Sequence, residues 1–141
     1  MAAEEQYPGV TVGDGYAIGN LDDLGQGPGF RKVRRALGVQ ELGVNAIVMP
    51  AGIETGAHYH DQQEELYFVH RGAIEIEFGD GSAHELREGG FARVDAPTVR
   101  RIRNRGSQEA IYVCVGAKGG YVGRDGRTPP GEEERVRALH G

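Results

Sequence analysis

Residues 56–72 read GAHYHDQQEELYFVHRG. His58 and His60 stand one residue apart, Glu64 and Glu65 follow, and an apolar, aromatic run then stops at Gly72. On an extended chain, alternate side chains share a face, so His58 and His60 lie together and Tyr59 points away. In the next run Glu65, Tyr67 and Val69 share one parity, while Glu64, Leu66 and Phe68 share the other. Two imidazoles and a carboxylate suit a divalent first-row metal. Such a set with open positions is characteristic of non-haem iron, and zinc, manganese or nickel accept it too. The competing reading is a polar loop tip running into a strand, and these residues alone leave both readings open.

On either side the chain is punctuated into short apolar runs. VNAIVMP, stopped by Pro50, reads as a strand before the histidines, and FRKVRRALG, closing at Gly38, as an earlier one. After Gly72, Ile74, Ile76 and Phe78 alternate with Glu75 and Glu77, the period-two signature of a half-buried strand. The GDG at 79–81 is a hairpin turn signal, with HELREGG as the return strand. FARVDAP, VRRIRN and AIYVCVG complete the series. Strands at roughly 8–12-residue spacing, separated by glycine turns, predict an all-β sandwich or barrel. The 24 glycines are dispersed, as many tight turns require.

The flanks read differently. Residues 1–30 form an N-terminal arm of turns or short strands, from which Tyr16, Ile18 and Leu21 are candidates to pack on the core. Residues 117–141 form a C-terminal loop and tail. In it PPGEEERVRALHG carries acidic residues early and Arg135 and Arg137 later, the order that suits a short helix. The glycine-rich GGYVGRDGR at 119–127 reads as a plain surface loop.

Composition excludes several classes. Formal net charge is -5, from 21 acidic and 16 basic residues, which argues against a nucleic-acid or anionic-membrane binder. Only Lys32 and Lys118 are lysines, so arginine supplies nearly all the positive charge. The single cysteine, Cys114, lies in an apolar strand and reads as an inert buried thiol rather than a nucleophile. The only serines, Ser82 and Ser107, lie in turn segments, and no G-x-S-x-G elbow or phosphate-binding GxxxxGK loop is present. The N-terminus lacks a secretory pattern, and no apolar run approaches the ~20 residues of a membrane helix, so the expectation is a soluble cytoplasmic protein.

The histidine stretch resembles the first motif of the cupin superfamily: Gly, five residues, His-x-His, three or four residues, Glu, six residues, Gly. Gly52, His58, His60, Glu65 and Gly72 fill each of those positions. The resemblance covers about residues 31–116. It implies a small double-stranded β-helix, or jelly roll, often dimeric, with the motif residues lining its mouth. It selects Glu65 over Glu64 as the third metal ligand, in agreement with the parity argument. Homodimerisation and a small-molecule ligand are the partner expectations, with Fe, Mn, Zn or Ni as the metal.

The second motif of the family reads Gly, five residues, Pro-x-Gly, two residues, His, three residues, Asn. In GGFARVDAPTVRRIRN, Gly89 and Asn104 hold their places, but Asp95 replaces Pro, Pro97 replaces Gly, and Arg100 replaces the fourth ligand histidine. Arginine stays protonated and offers only donors, so it cannot coordinate a cation. Three placements are open: Arg100 swings away from a three-ligand metal site, pairs with Glu65 in place of the metal, or grips an anionic ligand at the mouth. Alternation puts Arg100 with Ile102 and Asn104, and puts Arg101, Arg103 and Arg105 on an outer solvated face, opposite Glu75 or Glu77 or at a dimer contact.

Tyr67, two residues beyond Glu65 on the same face, is the candidate to bond a metal ligand or the substrate with its hydroxyl, alongside Arg100. His70, His84 and His140 read as bystanders. Three functions follow. One is a metal-dependent oxygenase, isomerase or decarboxylase for a small, anionic organic molecule. The second is a metal-free binding protein with Arg100 as the anion anchor. The third is a structural barrel with a vestigial site.

Overall fold

The computed structural model describes residues 7–135. Its centre is a pair of antiparallel sheets. The larger holds β3 (Gly29–Arg31), β4 (Gly43–Met49), β6 (Glu64–Arg71), β9 (Phe91–Val94) and β11 (Ala110–Ala117), in the order β3-β4-β11-β6-β9. The smaller holds β7 (Ala73–Phe78), β8 (Ala83–Arg87) and β10 (Arg100–Arg103), in the order β10-β7-β8. Consecutive strands β6 and β7 lie in different sheets, as a jelly roll requires, and the chain passes between them at Gly72. That residue has φ +73 and packs against the backbone of Glu109 and Ala110, so a side chain is excluded on two counts.

The alternation read from the sequence is the alternation that buries the core. Ile74, Ile76 and Ile102 from the smaller sheet meet Ile47, Tyr67, Val69, Val94 and Tyr112 from the larger. Glu75 and Glu77 face outward and pair in register with Arg103 and Arg101 across β10. Each fully buried aliphatic side chain contributes about 1.5–3 kcal/mol over its exposed state, so this two-sided layer is the main source of cohesion.

Two further pieces complete the barrel. Residues 52–58 run beside β10 through bridges Glu54–Arg103 and His58–Arg100, with backbone bonds from Thr55 N–H to the Ile102 carbonyl and from Gly52 N–H to the Asn104 carbonyl. Buried Asn104 locks the following turn by donating to the Met49 and Gln108 carbonyls and accepting from Gly106 N–H. The short β5 (Tyr59–His60) pairs with β12 (Gly126–Arg127), drawing the C-terminal loop over the mouth.

The flanks depart from the sequence reading. FRKVRRALG is not one strand. Only its first residues join β3, and Val33–Leu37 form helix α1, capped by left-handed Gly38 at φ +72. Val33, Ala36 and Leu37 recur at helical spacing and pack on Val10 and Leu24, a second small core that period two does not describe. In the arm, β1 (Thr11–Gly13) and β2 (Tyr16–Ile18) form a hairpin followed by a 3-10 turn at Leu21–Asp23. Tyr16 and Ile18, expected to pack on the core, are instead exposed, while Val10 and Leu24 are buried. Residues 132–135 are helical and carry Glu132 and Arg135. His140 and Arg137 lie outside the described residues. Among the described residues no helix is long and apolar enough to cross a membrane.

Candidate metal centre

The antiparallel bridge between His58 and Arg100 sets the site. It places the residue at the family's fourth-ligand position directly across from the first histidine. β6 supplies the third side: Glu65, Tyr67 and Val69 are buried, and Glu64, Leu66 and His70 are exposed. The ligand atoms of His58, His60 and Glu65 all lie within 4.8 Å of one another. His58 Nε2 is 3.5 Å from Glu65 Oε1, and His60 Nε2 is 3.2 Å from Oε2. The two imidazoles meet edge to face, with centroids 5.3 Å apart.

Of the three placements open for Arg100, the structure shows the ion pair with Glu65. Arg100 is fully buried, and its Nη2 donates to Glu65 Oε1 at 3.0 Å. Nη1 donates to the Thr98 and Ala96 carbonyls at 2.6 and 3.3 Å, and Nε to the Tyr67 hydroxyl at 3.3 Å. Every nitrogen of the guanidinium is therefore engaged by protein acceptors, not presented at the mouth. Tyr67 is buried too, and its hydroxyl donates to Glu65 Oε1 at 2.7 Å. Tyr67 thus orients the carboxylate.

Burial alone would raise the Glu65 pKa, but the donors of His58, His60 and Tyr67 outweigh it and hold the carboxyl well below the ordinary carboxylate range. Burial pushes the Cys114 thiol up, aided by the nearby Glu65 charge, which disfavours the thiolate, although this partly buried cysteine lies on the cleft wall.

Asp125 is the residue that sequence reasoning missed. GGYVGRDGR is not a plain surface loop: the β5–β12 pairing carries Asp125 to 3.4 Å from His60 Nδ1, on the side of the ring away from Glu65. Asp125 Oδ2 also accepts the N–H groups of Gln62 and Gln63 at 3.0 and 2.9 Å. Burial opposes its ionisation, yet these backbone donors and His60 lower its pKa. A carboxylate behind a ligating imidazole fixes its tautomer and orientation. The only sequence signal was an acidic residue set in a tight glycine loop, some 60 residues from the histidines, and such loops are common.

The donor chemistry fits a divalent transition metal: two Nε2 atoms and an ionised carboxylate converge, one ring is backed by an acid, and Glu65 Oε2 stays free of the Arg100 and Tyr67 donors. The centre opens on a cleft of about 230 Å³ lined by His60, Gln63, Glu65, Cys114 and Asp125. His70 and His84 are exposed, away from it.

Arg101, Arg103 and Arg105 face outward as read, and they pair with Glu77, Glu54 and Glu75 at 2.8 Å each. Arg101 is not solvated, however. Glu132, from the helical turn, covers it and takes its second nitrogen.

The family model described as "Cupin domain" matches residues 45–116. No curated protein matches the chain. Among solved structures, the chain is similar to a sugar phosphate isomerase of the cupin superfamily from Silicibacter pomeroyi. Identity is 27%, the TM-score is 0.58, and the match covers 63% of this chain. The chain spans only 58% of that isomerase's length. An uncharacterized conserved protein with a double-stranded beta-helix domain from Klebsiella pneumoniae aligns at TM-score 0.65 and 22% identity, over 78% of this chain and 94% of its own. A cupin protein from Bacteroides fragilis aligns at TM-score 0.65 and 23% identity, over 76% and 87% of the two chains. These last two likenesses support the fold.

Proposed function

The chain belongs to the cupin domain family, and from that premise we propose that His58, His60 and Glu65 hold a divalent transition metal and that the protein acts on a small polar organic molecule in the adjoining cleft. The observation that carries this reading is the convergence of the three ligand groups within 4.8 Å, with Asp125 behind His60. A bound metal would supply a Lewis acid for a substrate oxygen, chemistry that serves isomerisation, decarboxylation or dioxygenation alike. The chain's own residues do the rest. Tyr67 and Arg100 hold Glu65 Oε1 and so set the angle of the carboxylate. Asp125 stands 3.4 Å behind the His60 ring, placed to accept its Nδ1 proton when Nε2 binds a metal. Gln63, Cys114 and Asp125 wall the cleft beside the centre.

Thermal unfolding with added Fe²⁺, Mn²⁺, Zn²⁺ or Ni²⁺ tests the reading. One of these should raise Tm, chelator should reverse the gain, and His58→Ala should abolish it. Equal shifts in wild type and His58→Ala would count against a site at these residues.

One observation favours a second reading, the 3.0 Å pair between Arg100 and Glu65. In a metal-free barrel that pair would neutralise the carboxylate, and the cleft would bind a ligand without transforming it. Stabilisation by a small organic ligand that is indifferent to chelator would then be the outcome.

A further inference from the structure

The inner face of the larger sheet continues past the metal centre. There Glu65 of β6 lies beside Gly116 of β11, which lies beside Gly43 of β4, and Tyr67 lies in line with Cys114 and Asn45. One strand further out, Phe30 of β3 pairs with Ile47, whose side chain is on this inner face, and Lys32 follows two residues later. Beside the 230 Å³ cleft at Glu65 is a second hollow of about 320 Å³, lined by Phe30, Lys32, Arg34 and Arg35. Gly43, Asn45 and Tyr121 wall both, so the two form one groove leading from the metal centre to the sheet edge.

The far end of this groove is cationic in a chain of net charge -5. The arginines along β10 are all matched with carboxylates. Lys32, Arg34 and Arg35 are not: among the described residues none has a carboxylate within ion-pair distance. The Arg34 guanidinium instead stacks 4.1 Å over the Tyr121 ring, which holds it against the groove wall. Three cations around one hollow suit a dianionic phosphoryl group better than a single carboxylate.

The near end supplies an independent sign of a ligand. Gln63 is 7% exposed, it lines the cleft, and its Oε1 has no hydrogen-bond donor. A buried acceptor of this kind calls for a donor. A Cβ on Gly116 would stand 3.4 Å from that oxygen, so the glycine keeps the space before it open.

We propose that the groove binds a small phosphorylated polyol. Its phosphoryl group sits among Lys32, Arg34 and Arg35, a hydroxyl donates to Gln63 Oε1, and the far end reaches the metal centre. The assignment rests on the reading of that centre as the reactive site. The anion anchor is thus the rim cluster rather than Arg100.

Calorimetric titration of the full chain with sorbitol 6-phosphate, sorbitol and inorganic phosphate tests it. Sorbitol 6-phosphate should bind at least about tenfold tighter than sorbitol. Lys32→Glu with Arg35→Glu, both on exposed residues, should remove that advantage and weaken inorganic phosphate as well. Gln63→Leu should weaken sorbitol 6-phosphate and leave inorganic phosphate unchanged. His58→Ala should keep phosphate binding. No binding in wild type, or equal affinity in wild type and the charge-reversed variant, overturns the proposal. If wild type carries no metal but charge reversal still removes phosphate binding, the groove stands and the metal reading falls. If metal is bound and charge reversal does nothing, the groove falls alone.

Discussion

Arg100 Nη2 lies 3.0 Å from Glu65 Oε1 inside the barrel, at the position where the family places a fourth ligand. The pair gives the centre an unusual balance. One carboxylate oxygen is held by two donors, Tyr67 and Arg100, and the other faces His60. The guanidinium adds positive charge beside the site, which opposes a cation, while its hydrogen bond holds Glu65 in place.

Replacing that guanidinium separates the two effects. Arg100→His should complete a four-ligand set and tighten metal binding by about tenfold or more, read by competition with a chromogenic chelator. Arg100→Ala should leave the buried Glu65 charge without its cation and lower unfolding free energy by about 3–5 kcal/mol in urea titrations. Unchanged metal affinity in Arg100→His would mean that position 100 does not face the ion.

Asp125→Asn should lower metal affinity by about 10–100-fold while the fold persists. The asparagine oxygen can still accept from the Gln62 and Gln63 N–H groups, so the loop keeps its anchor. Asp125→Ala removes that anchor too and should lower Tm in the absence of metal. An asparagine variant with wild-type affinity would show that the contact with His60 is incidental.

The ion pairs on the outer face of β10 should differ sharply in worth. Arg101 is buried between Glu77 and Glu132, and although Glu77 keeps Arg103, buried Glu132 would lose its close cation, so Arg101→Ala should cost about 3 kcal/mol or more. Arg105, at the exposed end, pairs with Glu75 alone, and Arg105→Ala should fall within about 0.5 kcal/mol of wild type. Equal losses in the two variants would contradict the burial pattern.

The two glycines of the histidine motif should also part company. Gly52 has φ +80 with open space around it, so alanine there should cost about 1–2 kcal/mol of backbone strain. At Gly72 a Cβ would also stand 2.8 Å from the Glu109 carbonyl oxygen, so Gly72→Ala should cost clearly more. Chemical denaturation of both variants compares them directly.

The strands were legible where one face meets water and the other meets the core. Ile74 and Ile76 against Glu75 and Glu77 is the plainest case, and the parity that turns Glu65 inward follows the same rule. FRKVRRALG misled because Phe30 and Val33 suit a strand locally, while the helical spacing of Val33, Ala36 and Leu37 is too short a signal to outweigh them. Tyr16 and Ile18 looked like core on hydrophobicity alone, but a two-stranded hairpin buries little of either. His58, His60 and Glu65 were readable because their spacing is local. Asp125 was not, since only the β5–β12 pairing brings it to His60. The partner of Arg100 likewise depended on the bridge to His58, which links segments some 40 residues apart.

The most direct test of the central claim is the metal content of untagged protein purified without chelator, measured by elemental mass spectrometry beside His58→Ala. The account predicts a near-stoichiometric amount of a single transition metal in wild type and its loss in the variant. Wild-type protein that stays metal-free after incubation with Fe²⁺, Mn²⁺, Zn²⁺ and Ni²⁺ would contradict it and leave the Arg100–Glu65 pair as the permanent occupant of the site.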